Sequence, residues 1–153
     1  ALDHLHICAT MYINNHEPDA CCRALGDVTR LRIMRLLAVS GDEACLCELE
    51  KSLQEPGYKL SRHLKILRDA GLLEAEKEGR WVYHRVATYP DFVGHLRDFV
   101  MALPDAKGIY GADLARFEAG QACRVGGRCR GERKNMSAQK ELVSDSAVAD
   151  GTG

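Results

Sequence analysis

Seven cysteines carry most of the chemistry this sequence could perform, and their spacing sorts them into groups. They fall as Cys8, the adjacent Cys21 and Cys22, Cys45 and Cys47 flanking a single residue, and Cys123 with Cys129. The opening Leu2-Asp3-His4-Leu5-His6 is too polar for a signal-peptide core. No export signal is expected, and an odd count then argues against a disulfide framework and for reduced thiols that bind metal, do redox chemistry or pack. Cys45 and Cys47 are expected in the first turn of a helix, where free N–H groups and the dipole favour a thiolate, the ligand that soft metal and metalloid ions select. Positions two apart on an ideal helix diverge, so joint ligation is expected to unwind that turn.

Charge supplies the second candidate site. The 21 Lys and Arg nearly cancel the 22 Asp and Glu, and a net charge of −1 gives no global signature of a nucleic-acid binder. Residues 58–85 depart from that balance, with seven basic residues against the four acids Asp69, Glu74, Glu76 and Glu78. Tyr58, Lys59, Ser61, Arg62, His63, Lys65 and Arg80 are the candidate DNA contacts: the cations suit phosphates or guanine edges, the hydroxyls short-range hydrogen bonds. For His63 and His84 a DNA-contact or hydrogen-bond role outweighs metal binding.

Several elements must position these groups. Apolar spacing predicts a helix over 27–39, with Leu31, Met34 and Leu37 on one face and Arg30, Arg32 and Arg35 on others. A second helix is expected over 43–53, capped by Asp42, and Glu55-Pro56-Gly57 breaks the chain after it. A third, over 58–70, buries Leu60, Leu64 and Leu67 and stops at Gly71. Residues 72–76 and 81–86 flank Lys77-Glu78-Gly79-Arg80 as a β-hairpin, and Pro90 opens a helix over 90–103. Helix, turn, basic helix and charged hairpin in that order give an α+β, mainly α fold, a winged helix-turn-helix, over residues 1–103. The 90–103 helix and a weaker N-terminal helix over 1–16 hold more apolar surface than one small core needs, which suggests a homodimer. Residues 104–153, Gly-rich, then basic, then small and polar, are expected to form a mobile tail. No apolar run approaches the length of a membrane span, so the expected setting is cytoplasmic, with no membrane partner.

Three motifs in this order resemble the ArsR/SmtB metalloregulators: Arg23-Ala24-Leu25-Gly26-Asp27 with Thr29-Arg30-Leu31, Leu60-Ser61-Arg62-His63-Leu64-Lys65-Ile66-Leu67 through Gly71-Leu72-Leu73, and Gly79-Arg80-Trp81-Val82-Tyr83-His84-Arg85. The resemblance covers residues 21–103. It implies a homodimeric repressor that binds an inverted-repeat operator and releases it when a metal or metalloid binds. The segment Cys45-Leu46-Cys47 is similar to the thiol box of the arsenical and cadmium/lead branches, which implies arsenic(III) or antimony(III) as inducer, with cadmium or lead as alternatives. The arsenical pattern often extends to a third cysteine, where this chain has Glu50. A trivalent site wants three sulfurs, so Cys21, Cys22 or a small thiol such as glutathione is expected to complete it. Cys8 would add a fourth ligand and favour cadmium or lead, and Cys123 and Cys129 are a weaker option. The zinc branch's ligands across paired C-terminal helices are incomplete, since Asp91 and His95 lack the usual second histidine.

Two other functions use the same residues. On the same fold, the thiols could form a disulfide or polysulfide bridge, making a redox or persulfide sensor. A thiol enzyme such as a reductase is disfavoured, because the sequence has no Cys-x-x-Cys on a strand-to-helix turn, no phosphate-type Gly-rich loop and no parallel-sheet pattern. The expectation is a regulator, not an enzyme.

Overall fold

The computed structural model describes residues 17–126. The expected N-terminal helix, Cys8, Cys129 and the end of the expected tail lie outside the described residues. Six helices and three short strands follow in the order α1 (Pro18–Leu25), α2 (Val28–Ser40), β1 (Ala44–Cys45), α3 (Leu46–Leu53), α4 (Gly57–Asp69), β2 (Leu73–Glu78), β3 (Trp81–Val86), α5 (Asp91–Ala102) and α6 (Ile109–Gln121).

Local chemistry sets most of these boundaries. The Asp27 side chain accepts from the Arg30 N–H at 3.1 Å to cap α2, and Gly41, at φ 63°, takes the left-handed turn that ends it. Ile33, Met34, Leu36 and Leu37 of α2 meet Leu60, Leu64 and Leu67 of α4 in one core, each fully buried apolar side chain contributing about 1.5–3 kcal/mol. After α4 the Gly71 N–H donates to Arg68 O and the Leu72 N–H to Leu67 O, closing the helix as its sequence predicts. The hairpin turns at Gly79 and Arg80, and the sheet order is β1-β3-β2, all antiparallel. This is the winged helix-turn-helix, with α3 and α4 as the helix-turn-helix and β2–β3 as the wing.

Two expectations change here. The second helix does not begin at residue 43 under an Asp42 cap: Ala44 and Cys45 pair with His84 and Tyr83 at the wing's inner edge, and the helix starts at Leu46 with Cys45 as its cap. Strand pairing across 38 residues competes with local helix propensity for these two positions and wins. Nor is the region after Pro104 all tail, because α6 docks on α3 and α2. Phe117 enters the core, and Asp113, 1% exposed, takes Arg32 Nε at 2.8 Å and Arg116 Nη2 at 2.6 Å. Arg32 and Arg35 therefore face neighbouring helices rather than water, Arg35 Nη1 donating to Val100 O at 2.9 Å and Leu103 O at 2.5 Å.

Candidate functional site

Cys45 and Cys47 are brought together by the cap that starts α3. Cys45 has extended dihedrals (φ −85°, ψ 165°), so its side chain folds over the first turn instead of following the helical spiral. The Cys45 and Cys47 Sγ atoms lie 2.7 Å apart. The expected divergence of the pair, and the unwinding it would require, are therefore corrected: one member sits outside the helix, and the existing turn already presents both sulfurs.

Glu48 builds that turn. Its Oε2 accepts from the Cys45 backbone N–H at 2.9 Å, while its own N–H points to the Cys45 sulfur, a capping box with a thiol in the usual hydroxyl position. Arg124, arriving from beyond α6, donates through Nε to Glu48 Oε1 at 2.6 Å and through Nη2 to Oε2 at 3.0 Å. It also reaches Asp42 Oδ2 at 3.1 Å and Glu43 O at 2.6 Å. The buried pair is charge-assisted and bidentate, the geometry that most constrains a carboxylate.

The Cys45 thiol is not the ready thiolate expected of a helix first turn. Burial pushes its pKa up, the hydrogen bond with Cys47 adds to this, and the Glu48 N–H only partly opposes them. An ion binding here must displace the proton, so its affinity rises with pH.

The pair opens into a cleft of about 430 Å³ beneath the wing, whose walls include Leu46, Leu64, Arg68, Arg80, Trp81 and His84. Arg68 Nη1 lies 3.1 Å from His84 Nε2, and Arg80 stacks over the Trp81 ring at 4.8 Å. Burial, then the Arg68 charge, lower the His84 pKa.

Cys21 and Cys22 do not line this cleft. Cys21, wholly buried on α1, donates its thiol to Ala70 O at 3.0 Å, and burial raises its pKa. Cys22 is exposed, as is Cys123. Among the described residues no group of three or more His, Cys, Asp or Glu side chains is arranged to hold a metal. Two sulfurs from one turn fit a thiophilic ion in donor type and leave its remaining coordination to come from elsewhere.

The basic face is divided. Tyr58, Ser61, Arg62, Lys65 and Arg80 are exposed on α4 and the wing tip. Lys59 and Lys65 form i,i+4 pairs with Glu55 and Asp69. Such pairs are worth only about 0.3–0.5 kcal/mol, so a phosphate can displace them. His63 points elsewhere: its ring is largely covered, with Nδ1 3.7 Å from Asp27 Oδ1 at the α2 cap. His84 is buried behind the wing. Two residues of the site are not among the candidates named from the sequence. Glu48 has a signal, since it stands three residues after the cap, the capping-box position. Arg124 has none.

Comparison with known proteins adds a family match. The model of bacterial regulatory proteins of the arsR family matches residues 27–75. An uncharacterized HTH-type transcriptional regulator of Methanocaldococcus jannaschii is 42% identical over 64 residues, 42% of this chain and 71% of that protein. The arsenical resistance operon repressor of Escherichia coli is 43% identical over 67 residues, 44% of this chain and 56% of that protein. The arsenic resistance transcriptional regulator ArsR1 of Pseudomonas putida is 44% identical over 69 residues, 45% of this chain and 53% of that protein. The chain thus spans 71% of the first relative and little more than half of the other two. The residues 27–75 matched by the family hold α3 and α4, the helix-turn-helix, and each of these relatives is named as a regulator of transcription.

Proposed function

This chain belongs to the arsR family of bacterial regulatory proteins and is a transcriptional regulator rather than an enzyme; from that premise we propose that it is a homodimeric repressor released from its operator when Cys45 and Cys47 bind arsenic(III) or antimony(III). The observation that carries the reading is the 2.7 Å approach of the two sulfurs at the start of α3. One backbone turn joins that pair to both DNA-reading elements: α3 leads directly into α4, and Cys45 pairs with Tyr83 on the wing. An ion that draws in both sulfurs also acts on the turn positioning both elements, so it can bias the protein between DNA-competent and released states.

In the DNA-bound state Arg62 and its neighbours on α4 enter the major groove and Arg80 follows the backbone, the two α4 helices of a dimer reading half-sites about 34–36 Å apart on an inverted repeat. Cadmium or lead is the alternative inducer if further thiols join the site, and the setting is cytoplasmic. The test is a gel shift on the chain's own promoter DNA across arsenite, antimonite, cadmium and lead salts. The wild type is expected to leave its operator with arsenite or antimonite, and the Cys45→Ser/Cys47→Ser double variant to bind DNA yet ignore both. A double variant released at the wild-type arsenite concentration refutes the assignment. The sulfur contact also suits a second reading, a redox sensor in which the two thiols lose two hydrogens to an oxidant and become a disulfide. Intact mass after peroxide treatment distinguishes the two.

A further inference from the structure

The cleft beneath the wing carries an inference that rests on the arsenic reading above. Trivalent arsenic in a thiol site takes three sulfurs, and the turn at Cys45 and Cys47 offers two. Among the described residues no third cysteine joins them, yet both open into a space of about 430 Å³. That volume lies within the range of pockets that hold small organic ligands, about 300–1,000 Å³. Its walls are mixed in a specific way. Leu46, Leu64, Trp81 and Val82 supply apolar surface, and Arg68 and Arg80 supply guanidinium groups. The one carboxylate on the lining, Glu50, is turned to the start of α4, where a Cβ added at Gly57 would collide with it. Arg68 faces the His84 imidazole, and Arg80 lies over Trp81.

We propose that this cleft is a co-ligand site for a small carboxylate-bearing thiol, which supplies the third sulfur to an arsenic held by Cys45 and Cys47 while Arg80 and Arg68 take its carboxylate. The exchange balances without redox chemistry. Arsenous acid loses three hydroxyls, each leaving as water with the proton of one thiol; three As–S bonds replace three As–O bonds, and arsenic stays trivalent. Ser61 and Arg80 line the cleft and also belong to the DNA-reading face. The bound carboxylate therefore competes with DNA phosphate for the Arg80 guanidinium, which couples occupancy of the cleft to release.

Trp81 is the one tryptophan of the chain, so its emission reports on the cleft. The reduced full chain is titrated with arsenite alone and with excess glutathione, 2-mercaptoethanol or cysteamine, and the products are weighed by native mass spectrometry. The expected product carries one arsenic and one glutathione per chain, with apparent affinity about tenfold tighter in glutathione than in cysteamine. Within each variant, the ratio of the glutathione to the 2-mercaptoethanol result is expected to collapse towards one in Arg80→Gln and Arg68→Gln; Arg80, at the exposed wing tip, keeps the test valid if Arg68→Gln does not fold. Arsenic bound without an added thiol at saturating glutathione, equal affinities in all thiols, or a ratio that survives Arg80→Gln overturns the co-ligand site. Undiminished arsenite binding by the Cys45→Ser/Cys47→Ser variant would instead mark failure of the arsenic site itself.

Discussion

Replacing Asp113 by Ala tests whether the segment after Pro104 belongs to the folded domain. Asp113 is 1% exposed and accepts from Arg32 Nε at 2.8 Å, Arg32 Nη2 at 2.9 Å and Arg116 Nη2 at 2.6 Å. Removing the carboxylate leaves the Arg32 guanidinium, its side chain only 13% exposed, with the Leu53 carbonyl at 2.6 Å and the Glu55 carboxylate at 3.5 Å. Breaking a buried pair from one side costs about 3–5 kcal/mol. Arg32 keeps two partners and Arg116 reaches solvent, which places the expected loss near the lower end, ~3 kcal/mol. Urea denaturation at fixed protein concentration, followed by helical circular dichroism, reads this directly. With a slope of about 1–3 kcal/mol per molar urea, the midpoint should fall by roughly 1–3 M. Asp113→Asn, which keeps the shape and one acceptor, should lose less, and Phe117→Ala, which empties a core position on the same helix, about 3–5 kcal/mol. If both alanine variants unfold within ~0.5 kcal/mol of the wild type, the range of an ordinary surface change, α6 does not pack on α2 and α3 in solution and the reasoning fails.

Cys21→Ser should keep the donor to Ala70 O but lose apolar volume in a fully buried site, costing about 1–2 kcal/mol while leaving the arsenite titration of Trp81 emission unchanged; lost arsenite binding would return Cys21 to the ligand set. Phe99 and Met101 of α5 are 56% and 38% exposed, so if α5 carries the proposed dimer interface, Phe99→Glu should shift the sedimentation mass towards monomer without loss of helical signal, and an unchanged mass would move the proposed interface off α5. His84, held neutral by burial and by Arg68, has a folded pKa below its unfolded value of about 6.5. The unfolded chain then binds the extra proton, so stability is complete above about pH 6.5 and declines as the pH falls below it. His84→Gln should flatten that limb of a denaturation midpoint plotted against pH.

The sequence by itself determined the helix-turn-helix and its wing. From the cap at Asp27 to the end of the wing, helix faces repeat every three or four residues, breaks fall at Gly and Pro, and hairpin residues meet within a few positions, so the information is local and lies in order along the chain. Periodicity therefore assigns Leu60, Leu64 and Leu67 to the core and Arg62 to the surface, and the charged hairpin turn places Arg80 there too, where the fold has them. The thiol pair is legible as a candidate by residue type and spacing, but its geometry is not, because whether Cys45 belongs to a helix or a strand is decided by Tyr83, 38 residues away in the wing. His63 has the sequence setting of a surface residue on a basic helix, yet its ring is largely covered, with Nδ1 3.7 Å from Asp27 Oδ1 at the cap of α2. The tertiary structure alone decided the role of the segment after Pro104. Its Gly and basic residues read as solvated chain, and its helix has too mixed a face to announce a partner. What fixes it are ion pairs between residues 76 to 82 positions apart, Arg124 with Glu48 and Asp42, and Asp113 with Arg32. A charge has no periodicity that names its partner, so only the packed chain shows that the carboxylate shaping the thiol turn is held by an arginine from beyond α6.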